Sequence, residues 1–306
     1  MATSVQASFS EKGVFLSLSE TEREEEFMTK LMYLWFAVKT VFCTCQPDHK
    51  ENGFQKVRSQ YKITKIGKLP TVADESSGLA RKSGSNTFWT HNDSGGKAEL
   101  YELNGDGELV SIRPVTNATN IDWEDLADDE QGNIYIGDFG NNNNNRKNLL
   151  IYKLSQQGGE MSKISFKYTS QTQFPPPAGQ WIYDSEAFFH DGQNLYLFSK
   201  NQHSAHKTLL YKIPDQPGDY TISPIDSIQI TSPVTSADIS PDGQTFALLT
   251  YGKVLLFAIE NGQINFTKPI GCFRTVKKQA EAILFINNTD MILTNEQEQL
   301  YRITRR

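Results

Sequence analysis

Three cysteines in 306 residues are too few for a disulfide scaffold. Cys43 and Cys45 stand together and Cys272 stands alone, so no disulfide framework can be read from them. The Cys-x-Cys pair also lacks a second pair to complete a metal site. Five histidines do not easily build a His-rich zinc centre. No apolar run reaches the ~20 residues that span a bilayer comfortably. No long stretch carries a 3.6-residue period, which excludes a coiled coil or helical bundle. A P-loop, a G-x-S-x-G elbow, an H-E-x-x-H pair and a dinucleotide fingerprint are all missing. Positive charge is in deficit: 30 Lys and Arg against 36 Asp and Glu leave a net charge of −6 and a pI of about 5.5. Nucleic acid needs clustered positive charge and is excluded as a partner on that count. A cation, a neutral small molecule or a glycan fits the balance better.

The N-terminal region divides in three. Residues 1–27 are polar, with the solvated charge run ETEREEE, and read as disordered or as a misassigned start. Residues 28–45 begin Met28-Thr29-Lys30, continue through the apolar run LMYLWFAV and end at Cys43 and Cys45. A basic start, a short apolar centre and a terminal Cys resemble a bacterial lipoprotein signal. That resemblance implies a lipid on Cys45 or Cys43, membrane attachment, and an extracytoplasmic address, either envelope-bound or secreted. The alternative is an amphipathic or short membrane helix over 22–42. Residues 46–60 read as a linker.

From residue 61 to 306 the pattern is β. Short runs of Val, Ile, Leu, Tyr and Phe alternate with Gly-, Asn- and Asp-rich turns. A tetrapeptide recurs five times: LYEL (100–103), IYKL (151–154), LYKI (210–213), LFAI (256–259) and LYRI (300–303). Upstream of each copy an acid leads an apolar strand: Glu75, Glu124, Glu186, Asp238 and Glu281, spaced by 49, 62, 52 and 43 residues. That spacing is the length of one four-stranded propeller blade. A middle strand (FWTHND, IYIGDF, LYLFSK, FALLTY, MILTNE) completes each unit. Fourth strands are expected in ELVSIRPV, KISFKYTS, TISPIDSIQI and INFTKPIG. The last unit has none, and YKITKIGKL (61–69) is the expected N-terminal closing strand. The expected fold class is therefore all-β: a single β-propeller of five blades. Six is the alternative if the 155–185 insertion hides a blade. The segments TSADISPDGQTFALLT, HNDSGG, DWEDLADDEQGNIYIGDFGNN and DSEAFF resemble secreted bacterial propellers of the gluconolactonase, paraoxonase and NHL-repeat class.

The turns between first and second strands are short and define one face of the ring. The start of the first strand and the end of the second then meet at the opposite mouth of the channel. That topology gathers Glu75, Glu124, Glu186, Asp238 and Glu281 with Asn92, Asp138, Lys200, Tyr251 and Asn295. The longer loops are expected on the same face. Like charges in a narrow channel raise one another's pKa or recruit a cation. Carboxylate and amide oxygens suit Ca²⁺, and Mg²⁺ less well. The expected metal ligands are Glu75, Asn92, Glu124, Asp138, Glu186, Asp238, Glu281 and Asn295. The competing reading makes these acids ties to backbone amides of neighbouring blades, with Lys200 neutralising one or two of them.

His91, His203 and His206 are the mouth-side candidates for a general base. Lys200, Tyr251, Trp181 and Trp123 are the candidates for ligand contact. The Asn141–Asn145 run reads as a solvated loop. Three functions remain open: ligand binding at a Ca²⁺-occupied mouth, with ester, lactone or phosphoester hydrolysis as its catalytic form; a glycosidase using paired channel carboxylates; and a non-catalytic platform for proteins or glycans.

Overall fold

A computed structural model of the chain describes residues 44–155, 161–201, 207–276 and 279–306. Five sheets, each built on four antiparallel strands, form the blades of a propeller. Blade 1 is Ser76–Arg81, Phe88–Asn92, Glu99–Leu103 and Leu109–Pro114. Blade 2 is Trp123–Asp128, Ile134–Asp138, Leu149–Leu154 and Ser162–Tyr168. Blade 3 is Ser185–Asp191, Asn194–Ser199, Lys207–Pro214 and Pro224–Gln229. Blade 4 is Val234–Ile239, Thr245–Thr250, Lys253–Ala258 and Pro269–Arg274. Blade 5 is Ala280–Phe285, Met291–Asn295 and Gln299–Arg305, and its outer strand is the N-terminal Tyr61–Lys68. The ring closes by pairing the two ends of the propeller chain, as the missing fourth strand of the last repeat requires.

The 155–185 insertion supplies the outer strand of blade 2 and then a loop among its described residues, so the count is five. Two outer strands differ from expectation. TISPIDSIQI splits at Ser223: Gly218–Ile222 adds in parallel to the outer edge of blade 2, and Pro224–Gln229 edges blade 3. Pro224 has no N–H to continue a ladder, which suits it to the start of a new strand. In blade 4 the outer strand begins at Pro269, later than INFTKPIG suggests.

Every inner strand carries a register shift at its first residues: Ser76/Gly78, Trp123/Leu126, Ser185/Ala187, Val234/Ser236 and Ala280/Ala282. A bulge leaves its extra residue out of the ladder and re-aims the side chain. The bulge is thus the repeat landmark that places side chains at the mouth. Between the blades the alternate faces bury aromatic and aliphatic side chains. One such layer is Phe198, Phe246, Phe257 and Phe266 between blades 3 and 4.

The channel itself is bonded across. Asp125, fully buried, accepts hydrogen bonds from the N–H groups of Leu126, Phe188 and Ala237 and from Ser236 Oγ. One carboxylate thereby ties the inner strands of blades 2, 3 and 4. At the end with the short turns, Arg81 of blade 1 donates to Asp128 of blade 2, Asp238 of blade 4 and the Phe285 carbonyl of blade 5.

Residues 46–60, expected as linker, lie against blade 4. A short helix, Gln46–Glu51, brings Asp48 to the fully buried Lys253, which also donates to Thr231. Cys45 is bonded to Cys272 on the outer strand of blade 4. The Cys45 sulfur is therefore engaged within the propeller, although a lipid on that residue was one form of the sequence expectation. Cys43, the other form, and the rest of 1–43 lie outside the described residues. Among the described residues no helix is long and apolar enough to cross a membrane.

Candidate functional site

The bulges sort the five expected acids. Glu124, Glu186 and Glu281 are bulge residues of blades 2, 3 and 5. Blades 1 and 4 carry Ser77 and Thr235 at that position, not Glu75 and Asp238. Glu75 precedes its strand, is exposed, and lends its backbone carbonyl to the Asp93 N–H. Asp238 lies further along its strand, paired with Ala247, and is held at the other end of the channel by Arg81 and the Phe285 N–H. The sequence spacing hid this, because the same apolar strand pattern surrounds an acid at either end.

Beside Glu124 stand two acids that the repeat alignment passed over. Oxygens of Asp93, Asp122 and Glu124 all lie within 4.8 Å of one another. Asn120 brings them together. Its Nδ2 donates to the carbonyls of Asn92 and Asp93, and its Oδ1 accepts the Trp123 N–H. The loop after the second strand of blade 2 then closes on the cluster. Gly140 donates its N–H to the Asp122 carbonyl, and a Cβ at this position would sit 2.0 Å from Glu124 Oε1 and 2.5 Å from the Asp122 carboxylate. Only glycine leaves that space open. Arg146 fixes the loop by donating to the Gly140 carbonyl and to Asp138. Asp138 is fully buried. Its Oδ1 accepts from Arg146 and the Asp122 N–H, and its Oδ2 has no partner.

Lys200 lies across the mouth, nine-tenths buried, with its ammonium on Glu186 and on Asn142 Oδ1. Its burial opposes protonation, but Glu186, Tyr251, Asp184 and Glu124 outweigh that and raise its pKa. The carboxyls move the same way. Burial first, then Asp93, pushes Asp122 up to about 6. Burial, then Glu186 and Asp93, holds Glu124 well above the usual range. Burial also raises Glu186 against the pull of Lys200, and raises Glu281, with Glu296 and Glu186 next in effect. Glu281 Oε1 has no hydrogen-bond partner. Burial, with Glu281 and Glu186, raises the Tyr251 hydroxyl well above its usual range against the opposing pull of Lys200.

Other expected site residues have structural places. Asn92 donates to the Val72 carbonyl and to Asp74. Asn295 is buried and caps the next turn, its Oδ1 accepting from Gln297 and Gln299. His91 is fully buried, edge-on to Trp123, and desolvation lowers its pKa to about 4, so it is a neutral core residue rather than a mouth base. Trp123 is fully buried and donates to the Thr119 carbonyl, which leaves no face for a ligand. Trp181 is half-buried and donates to the Pro176 carbonyl. His203 and His206 lie outside the described residues. The asparagine run is less solvated than expected. Asn141 and Asn144 are buried and tie the loop to Tyr183 and Asp184.

A second group, Asp129, His190 and Asp215, lies on the short-turn side of blades 2 and 3. Tyr135, Lys153, Asn133 and Gln216 occupy its oxygens with hydrogen bonds, which makes it a tie between blades. The signal for the first cluster was present in the chain as HND (91–93), DWE (122–124) and DFGN (138–141). Acids two residues apart at a strand start, and a glycine after a strand-ending acid, are its marks.

No family model matches the chain, and no curated protein matches it. Solved structures similar to it include three propellers. One is virginiamycin B lyase from Staphylococcus aureus (12% identity, TM-score 0.41, covering 77% of this chain and 68% of that one). Another is a streptogramin B lyase (10% identity, TM-score 0.43, 82% and 100%). The third is XC5397 from Xanthomonas campestris, a gluconolactonase (10% identity, TM-score 0.48, 86% and 94%). The activities named are those proteins' own; the five-bladed ring rests on the strand pairing above.

Proposed function

We propose that the mouth binds a divalent cation, Ca²⁺ by the chemistry of its donors, and through it an oxygen-bearing small ligand or glycan. The carrying observation is the trio Asp93, Asp122 and Glu124, closed over by Gly140. Two oxygens bound to one Ca²⁺ at about 2.4 Å lie no more than about 4.8 Å apart, so the trio has the right compass. Three carboxylates at this spacing repel unless protonated or bridged by a cation. The unpartnered Asp138 Oδ2 behind them is a further buried acceptor. Glu186, Glu281, Lys200 and Tyr251 form the ligand-facing remainder.

When bound, such an ion supplies Lewis acidity toward an ester, lactone or phosphoester oxygen, which makes metal-dependent hydrolysis the catalytic form of this reading. The chain's own groups would orient that ligand. Lys200 and Tyr251 offer N–H and O–H donors, and Glu186, raised toward the neutral range, exchanges a proton beside them. The Cys45–Cys272 bond supports an extracytoplasmic address, since such bonds persist in oxidising compartments.

Calorimetric titration with CaCl₂ at pH 7 tests the reading. Expected is one-site binding, with release of protons from the trio. Asp122→Asn and Glu124→Gln should each weaken it at least tenfold, and Asp238→Asn should leave it unchanged. No binding, with both mouth substitutions only raising thermal stability, would make the acids a strained ornament of the fold and sink the proposal. A screen of lactones and phosphoesters with the Ca²⁺-loaded protein then separates hydrolase from binder.

A further inference from the structure

We propose that the outer edge of blade 5 docks on an anionic lipid bilayer. The chain carries a net charge of −6, yet residues 54–70 and 299–306 together hold eight Lys and Arg and no Asp or Glu. The two segments meet in space. Strand Tyr61–Lys68 pairs with Gln299–Arg305, and the Arg306 N–H reaches the Gln60 carbonyl. Tyr61, Ile63, Tyr301 and Ile303 turn toward the core, while Lys62, Lys65, Lys68, Arg302, Arg305 and Arg306 are exposed. Glu298 faces Lys68 and Asp290 faces Arg302; among the described residues no ion pair takes Lys62, Lys65, Arg305 or Arg306.

Charge complementarity selects the partner. The cations spread along an eight-residue strand, roughly 27 Å at ~3.4 Å per residue, and do not converge on one small anion. They suit a surface of many negative headgroups, where each exposed Lys or Arg adds to binding. The acidic mouth does not cancel them, because fields fade over about 8 Å at physiological salt. Beside the strip runs a groove of about 310 Å³ lined by Tyr61, Ile270 and Arg305, and Ile270 is 38% exposed. Apolar surface next to basic side chains fits a lipid interface better than an acidic polysaccharide. Lysines on an edge strand also prevent strand-to-strand aggregation. That role accounts for Lys62, Lys65 and Lys68 but not for the arginines of the neighbouring strand and terminus. The inference is independent of the cation site.

Vesicle co-sedimentation of the full chain tests it, with phosphatidylcholine alone against a 70:30 mixture with phosphatidylglycerol. Expected is at least tenfold stronger partitioning to the anionic vesicles in 0.1 M NaCl, lost in 0.5 M NaCl. The triple variant Lys62→Glu, Lys65→Glu, Arg305→Glu should lose at least tenfold. Lys97→Glu, Lys163→Glu, Lys167→Glu should stay within twofold of the parent, with thermal stability of both checked beside it. Insertion through residues 28–45 would be equal on both vesicles and blind to the charge reversal, and that pattern overturns the proposal. So does retention on an acidic polysaccharide with no vesicle binding.

Discussion

The two ends of the central channel are built from the same residue types and behave differently. At the short-turn end, Asp128 and Asp238 face Arg81, and backbone N–H groups of Arg81 and Phe285 complete them. At the mouth, Asp93, Asp122, Glu124, Glu186, Glu281 and Glu296 gather while Lys200 and Arg146 face them. Burial raises carboxyl pKa values at both ends, so desolvation is common ground. The supply of donors is what differs. An acid with enough donors is a tie. An acid left short of them is an invitation to a cation.

That contrast can be broken first by removing the closed end's cation. Arg81→Met leaves two buried carboxylates without their counter-ion, and denaturant unfolding should show a loss of about 3 kcal/mol or more. Glu281→Gln at the mouth replaces a buried carboxyl, crowded by Glu296 and Glu186, with a neutral amide of the same shape, and the same measurement should show no loss, or a gain of about 1 kcal/mol. Equal losses would mean that both ends are structural.

A smaller effect is expected with pH. A carboxyl whose folded pKa lies above its unfolded value contributes stability below pH ~4 that is lost as pH rises through the folded pKa. Asp122 and Asp238, both pushed up to about 6, should each make the metal-free protein less stable between pH 4 and 7, by on the order of 2 kcal/mol. Saturating Ca²⁺ should remove the Asp122 part of that slope and leave the Asp238 part. Thermal melts across that range, with and without the ion, would separate them.

The finest test is one methyl group. Gly140→Ala places a carbon against Glu124 Oε1 and the Asp122 carboxylate. Ca²⁺ affinity should fall at least tenfold while the propeller still folds, and unchanged affinity would put the ion elsewhere.

Much of the fold was legible because repetition makes its own alignment. LYEL and its four relatives marked the third strands, and the missing fourth strand of the last unit pointed to Tyr61–Lys68. The site was less legible because a strand offers an acid two ends. Asp238 looked equivalent to Glu186, but the bulge that aims Glu186 holds Thr235 in blade 4. Asp93 and Asp122 lie just outside strands; Asp122 has a counterpart in Asp184 of blade 3, but Asn120 and Gly140 place the pair through loop contacts that no periodicity encodes. Cys45 and Cys272, separated by 227 residues, meet because the segment before the closing strand lies on blade 4, which spacing alone does not reveal.

The most direct measurement is an anomalous-difference map from crystals of the protein grown with Mn²⁺ in place of Ca²⁺. A Ca²⁺-type mouth predicts one peak bounded by Asp93, Asp122 and Glu124, under Gly140, and its loss in Glu124→Gln. A mouth without a peak, or a peak at Asp129, His190 and Asp215 instead, would contradict it.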